Sequence, residues 1–248
     1  MPPGTIEEWC RCVSTARAGP PTVRRCRSRP SPCRRRRPRP SRRAPRTSMS
    51  TPRHLVGFFC LSPRVVAATL EAIRARVSVP VGVTTGAWAE PDPTTRLARV
   101  RSWTVLPDHA SVNWHEPGAE ETAAALIDLG IGVEAGIWSG TDAAARFAVS
   151  PLGPKVLRVL AEVTDTETAE ASARALLTEL GAAHGRPVLL HGEDGGAWPV
   201  LRLAGRLGLA TRIGLEDTLV LPEGQPALSN AQLVAEALVQ FGWSQRSS

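Results

Sequence analysis

The chain has 248 residues, 21% of them charged, and a formal net charge of +7. That length supports one large domain with a substantial core. The absence of a long apolar run and of a secretory h-region argues against a membrane span and against export.

The positive charge suggests nucleic acid until it is located. Residues 1–53 carry 15 arginines against only Glu7 and Glu8, whereas the remainder carries 15 basic and 21 acidic residues. The body is therefore mildly acidic, and the high pI belongs to the leader. Such an Arg- and Pro-rich leader repels itself and lacks apolar periodicity, so it cannot build a core and reads as disordered. Three origins compete for it: a basic tail that neutralises phosphates, an organellar transit peptide, or a GC-rich gene translated out of frame. Composition favours the third, since only one Lys accompanies 29 Arg in the whole chain. Four of the five cysteines (Cys10, Cys12, Cys26, Cys33) also lie there, in no zinc-ribbon or disulfide spacing. A cytoplasmic protein is the default expectation.

Beyond residue 53 the pattern changes. Val66, Leu70, Ile73 and Val77 recur at helical spacing in PRVVAATLEAIRARV. Short apolar runs then read as buried parallel strands: Val79–Thr85, Ala110–Trp114, Val133–Trp138, Val156–Val163, Pro187–His191 and Arg212–Leu215. Helical stretches such as ETAAALIDLG, ETAEASARALLTELG and AWPVLRLAGRLG alternate with them, closed by Gly130, Gly181 and Gly208. Strand starts recur roughly every 23 to 31 residues, the repeat of βα units. The expected fold is α/β, a (β/α)8 TIM-type barrel over 54–248 that lacks its first one or two units. HLVGFFCL (54–61) could supply one further strand.

Alternation along each strand sorts its residues by face. Ser111 and Asn113 share one face, Glu134 and Trp138 another, and Arg158 and Glu162 a third. Arg212, Gly214 and Glu216 likewise share a face in TRIGLEDTLV, with Asp217 where the strand gives way to its loop. Charged groups inside a barrel are costly unless they pair with each other, a metal or a substrate. A barrel without a site fills that interior with branched aliphatics. His115 and His191 end strands on the same side and are candidates to touch ligand, while His109 and His184 read as structural. Trp88, Trp138 and Trp198 read as core or rim packing, and Arg96 or Arg99 as arginines that could meet the phosphates of a coenzyme.

The motifs VPVGVTTGAW, ASVNWHEPGA, GVEAGIW, LLHGEDGGAW and TRIGLEDTLVLPEGQPALSN, in that order, resemble the β-keto acid cleavage enzymes, the family of 3-keto-5-aminohexanoate cleavage enzyme. The resemblance runs from about Ser62 to the end of the chain. It implies a zinc-dependent acyltransferase that converts a β-keto acid and acetyl-CoA into acetoacetate and a new acyl-CoA, in amino acid catabolism, with homo-oligomers common.

The resemblance places Glu216 at the metal-binding glutamate, Asp217 at the general base and Arg212 at the residue orienting it. Glu134 joins them as a catalytic position, and Thr85, Ser111 and Asn113 line the substrate pocket. The family's His-x-His zinc pair has no counterpart, since residue 54 is His and residue 56 is Val. One carboxylate does not hold zinc, so the Zn2+ site is expected to be incomplete and this chain's activity is in question. The alternative is a non-catalytic barrel remnant with a basic, nucleic-acid-binding tail.

Overall fold

The computed structural model describes residues 60–246, with side chains to 241, and the backbone of two short strands nearer the N-terminus. Those strands are β1 (Cys10–Val13) and β2 (Thr47–Ser50). The rest of the 1–53 leader, and His54–Phe59 of HLVGFFCL, lie outside the described residues. Cys60 and Leu61 are irregular rather than strand. Leu61 is buried, and its carbonyl accepts from Trp103 Nε1 at 2.9 Å.

From there strand and helix alternate: α1 (Pro63–Arg74), β3 (Val81–Thr84), α2 (Pro93–Arg101), β4 (His109–Asn113), α3 (Ala119–Asp128), β5 (Gly132–Trp138), α4 (Ala143–Ala148), β6 (Arg158–Val163), α5 (Ala169–Leu180), β7 (Val188–Gly192), α6 (Ala197–Leu207), β8 (Thr211–Gly214) and α7 (Asn230–Arg246). Local chemistry sets the ends. Ser62 caps α1 ahead of Pro63, and the Asp92 carboxylate accepts from Thr95 N at 2.7 Å ahead of Pro93. Gly208 closes α6 in the left-handed region, φ 66°, which costs a residue without Cβ little.

All the strands pair in parallel, in the order β7-β6-β5-β4-β3-β2-β1-β8. A bridge between Leu189 and Ala210 also joins β7 to the residue before β8, with Leu190 N–H donating to Ala210 O at 2.8 Å. The α/β architecture, with β3 to β7 curled as a parallel half-barrel backed by helices, is consistent with a truncated (β/α)8 barrel.

The outward residues of the strands form the main core with the helices. Val81, Val83, Ala110, Val112, Val133, Ala135, Ile137, Val159, Ala161, Val163 and Leu190 all pack there. The intervening residues therefore face inward, as the alternation of the sequence predicts for β4, β5 and β6. A small apolar layer of Leu160, Leu189 and Ala210 fills part of the interior between β6, β7 and β8. On the outside, α6 and α7 close over β8 through Trp198, Leu201, Ile213, Leu233 and Phe241.

Candidate functional site

Three strand ends carry charge to one place. Register sets Trp138 of β5 opposite Glu162 of β6, and Glu162 opposite His191 of β7. The β8 turn then brings Asp217 against the other side of His191. The imidazole lies 3.5 Å from Glu162 Oε2 through Nε2, and 3.5 Å from Asp217 Oδ1 through Nδ1. Arg212 donates to the same Oδ1 from Nη2 at 2.8 Å and from Nε at 3.1 Å. Asp217 Oδ2 is buried and has no hydrogen-bond partner among the described residues.

The strand ends one residue earlier than alternation suggests. β8 stops at Gly214, whose carbonyl accepts from Asp217 N at 2.9 Å and Thr218 N at 3.0 Å. Glu216 therefore stands on a turn at the rim rather than on the strand face shared with Arg212. Its carboxylate still lies 3.8 Å from Arg212 Nη2. Asn230 Oδ1 accepts from Leu215 N at 2.8 Å and pins that turn to α7, while Ser229 caps the helix through Gln232 N at 3.2 Å.

The loop HGEDGG holds the other side. Asp194 N–H donates to the Asp217 carbonyl at 2.6 Å, and Glu193 N–H to Val163 O at 3.1 Å. A Cβ on Gly192 would meet the Gly196 carbonyl oxygen at 2.9 Å, so the return is open only to glycine. Gly192→Ala is expected to destabilise the protein by about 1–3 kcal/mol through this backbone clash, read from urea unfolding. An unchanged midpoint would remove the constraint.

Burial works against every charge in this cluster, and partners decide the outcome. For Asp217, burial is outweighed by the Arg212 and His191 charges, and its carboxyl is held below the ordinary value. For Glu162, burial loses to the His191 charge 3.5 Å away, and the group falls to about 2. For His191, burial and the Arg212 charge are overcome by Glu162 and Asp217, which favours the cation. Glu193 moves oppositely, to about 8, first through its hydrogen bond to Glu162, then through burial and Glu162's charge.

The two glutamates thus share one proton near neutrality, on the Glu193 side. Above its ordinary value of 4.5, Glu193 holds a proton that the unfolded chain has released, so this group's contribution to stability declines up to about 8. Glu162 contributes stability above 4.5 that fades only as pH falls towards about 2. Between about pH 6 and pH 8.5 the urea midpoint of the wild type should fall relative to that of Glu193→Gln. Parallel profiles for the two proteins would rule out the shared proton.

The other expected site residues sit on the β3 to β5 side. Ser111 and Asn113 face inward and are buried. Asn113 Nδ2 donates to Glu116 Oε1 at 2.8 Å, and Glu116 also accepts from Ala87 N at 3.0 Å. Thr85 is buried just past β3, and its hydroxyl donates to Ser111 O at 2.9 Å, which ties two strand ends together. Glu134 lies deeper. It is the third residue of β5, four residues and roughly 13 Å of strand rise below Trp138. There it accepts from Arg158 Nε at 2.7 Å and lies 3.9 Å from His109 Nε2. The structure therefore does not bring Glu134 into the Asp217 cluster.

At the mouth, Trp138 stacks on Trp88, with centroids 6.4 Å apart, and meets His115 at 4.8 Å. Trp88 is 43% exposed and stands at the rim, whereas Trp198 is buried and donates to Val220 O at 2.9 Å. Arg96 corrects one expectation. It is 1% exposed and bound to Glu116, Glu90 O and Pro117 O, so it cannot reach coenzyme phosphates. Arg99 is paired with Glu90 at 2.6 Å.

Glu162, Glu193 and Glu116 were not singled out as site residues from sequence. The available signal was position, because each is an acid at or just beyond the C-terminal end of a strand, the active end of such barrels.

Among the described residues, no three of His, Cys, Asp and Glu are grouped so as to hold a metal ion. Glu216 offers one rim carboxylate, and Asp217 and Glu162 are already engaged by cations. This donor set does not fit zinc, which takes three protein ligands at a catalytic site.

The family model described as beta-keto acid cleavage enzyme matches residues 57–242. The chain belongs to that family. The match covers every helix and β3 to β8 but for the last residues of α7. No curated protein matches the chain. Among the described residues, no helix is long and apolar enough to cross a membrane. Membership directs attention to β-keto acids and to the C-terminal strand ends, where the Asp217 cluster stands.

Proposed function

We propose that the chain cleaves a β-keto acid by acyl exchange with acetyl-CoA, releasing acetoacetate and a new acyl-CoA. One observation carries this reading. In a β-keto acid cleavage family member, a buried carboxylate in the turn after β8 is held on one oxygen while its other oxygen has no hydrogen-bond partner among the described residues.

The methylene between a ketone and a carboxylate is acidic enough for a carboxylate to deprotonate when geometry is prepaid. Asp217 Oδ2 takes that proton, and Arg212 stabilises the negative charge that develops beside it. The carbanion attacks the acetyl thioester carbonyl and expels CoA as thiolate. The thiolate adds to the substrate's own ketone, and the C–C bond breaks. The leaving carbanion recovers a proton from Asp217 as acetoacetate, and the remaining acyl group departs on CoA. No step is routed through zinc, because the described donor set does not fit it.

Incubation with acetyl-CoA and a panel of β-keto acids should yield acetoacetate. The proton step is checked separately by deuterium uptake at the α-carbon in D2O without acetyl-CoA. No product and no exchange across the panel would overturn the reading. A remnant with a nucleic-acid-binding tail has no structural observation in its favour, since the tail's side chains lie outside the described residues.

A further inference from the structure

We propose that His191 is a positioning residue, which together with Arg212 occupies Oδ1 of Asp217 and so reserves Oδ2 for the substrate's proton. The inference rests on the function proposed above for Asp217 and assigns a role to a residue not otherwise used in that mechanism.

A carboxylate has two oxygens of equal basicity, and a base that presents either one is poorly directed. Here every contact to a cationic group falls on one of them. Arg212 donates to Oδ1 at 2.8 and 3.1 Å, and His191 Nδ1 faces it at 3.5 Å, a charge contact outside hydrogen-bond geometry. Oδ2 is left buried and without a hydrogen bond among the described residues. Arg212 approaches from its own strand, so it alone leaves the carboxylate a hinge. His191 approaches from β7, and a second anchor from another strand removes that rotation. The imidazole is itself held by Glu162 through the opposite nitrogen, at 3.5 Å. The chain of contacts from β6 through β7 to the β8 turn thus ends on one oxygen.

The competing account is that His191 merely neutralises Glu162. Two substitutions separate the accounts, because Asn places its amide nitrogen near the Nδ1 position and Gln near Nε2. His191→Asn keeps the donor to Asp217, whereas His191→Gln keeps the donor to Glu162. With His191 acting through Asp217, kcat falls at least about tenfold in His191→Gln at unchanged KM, and much less in His191→Asn. The reverse order, or equal losses that follow the loss of thermal stability, overturns the proposal.

A second readout needs no turnover. In protein labelled with 15N-histidine, Asp217→Asn should shift the His191 Nδ1 resonance, and Glu162→Gln the Nε2 resonance. A His191 Nδ1 that carries no proton, or does not respond to Asp217→Asn, also overturns it. Wild-type protein inactive on every β-keto acid would defeat the proposed function while leaving this spectroscopic test decisive for the anchor.

Discussion

Asp217→Asn is expected to lower both α-proton exchange and keto acid cleavage by about 10²–10⁴-fold, the usual contribution of a positioned base. The substitution is nearly isosteric, so the effect comes from chemistry rather than space. Arg212 donates at the Oδ1 position and so selects the amide oxygen there, and the His191 charge 3.5 Å away favours the same orientation. The amide nitrogen then occupies the place of Oδ2 and presents hydrogens where the base needs a lone pair. KM should change little, since Oδ2 is asked to act in the transition state rather than in binding. Exchange at the α-carbon measured in D2O, with and without acetyl-CoA, reads the proton step in isolation. Retention of exchange within a few-fold of wild type would move the base elsewhere in the site, with Glu216 at the rim the next candidate.

The largest effect on stability should come from Arg212→Met. Arg212 is buried, and its guanidinium is raised further above its ordinary range: burial opposes the cation, and Asp217, Glu162 and Glu216 prevail. Removing it leaves Asp217 as a buried anion with only His191 beside it. Truncating one partner of a buried pair typically costs about 3–5 kcal/mol, far above the median of an exposed pair.

The sign of the pH dependence follows from Asp217. Its folded value lies below 3.8, so the stability it contributes is present above that value and fades as pH falls through the folded one. The cost of Arg212→Met is therefore greatest above about pH 4 and shrinks in acid. Urea unfolding at several pH values checks this, and a double-mutant cycle with Asp217→Asn isolates the pair. A cost below about 1 kcal/mol at neutral pH would place the pair in the class of solvent-screened surface bridges.

Much of this architecture could be read before any coordinates. Apolar runs separated by Gly-closed helical stretches located the strands β3 to β8 to within one or two residues at most ends. Inside β4, β5 and β6 the period of two separated core-facing from inward-facing residues, because a strand's pleat leaves no other choice. Alternation by itself paired Arg212 with Glu216 on one face, and only the family resemblance placed Asp217 with Arg212.

Reading failed where local period stopped applying. Glu216 lies past the point at which Gly214 O turns the chain, so alternation no longer describes it. Thr85 lies just beyond β3 and spends its hydroxyl on a neighbouring strand's carbonyl. Glu134 has the inward face and lies four residues deeper along β5 than Trp138, a depth set by where each strand begins relative to its neighbours.

The order of residues alone thus sufficed for the βα alternation, the inward faces and the acidic charge of the body, all of which depend on neighbours close in sequence. Which charges meet was settled by register between strands and by the turns after them. Glu162, His191 and Asp217 are separated by 29 and 26 positions in the chain, yet sit within 3.5 Å of one another in succession. No local propensity encodes such a contact. It arises because three parallel strands end side by side, and buried charges at those ends are tolerable only when they find each other.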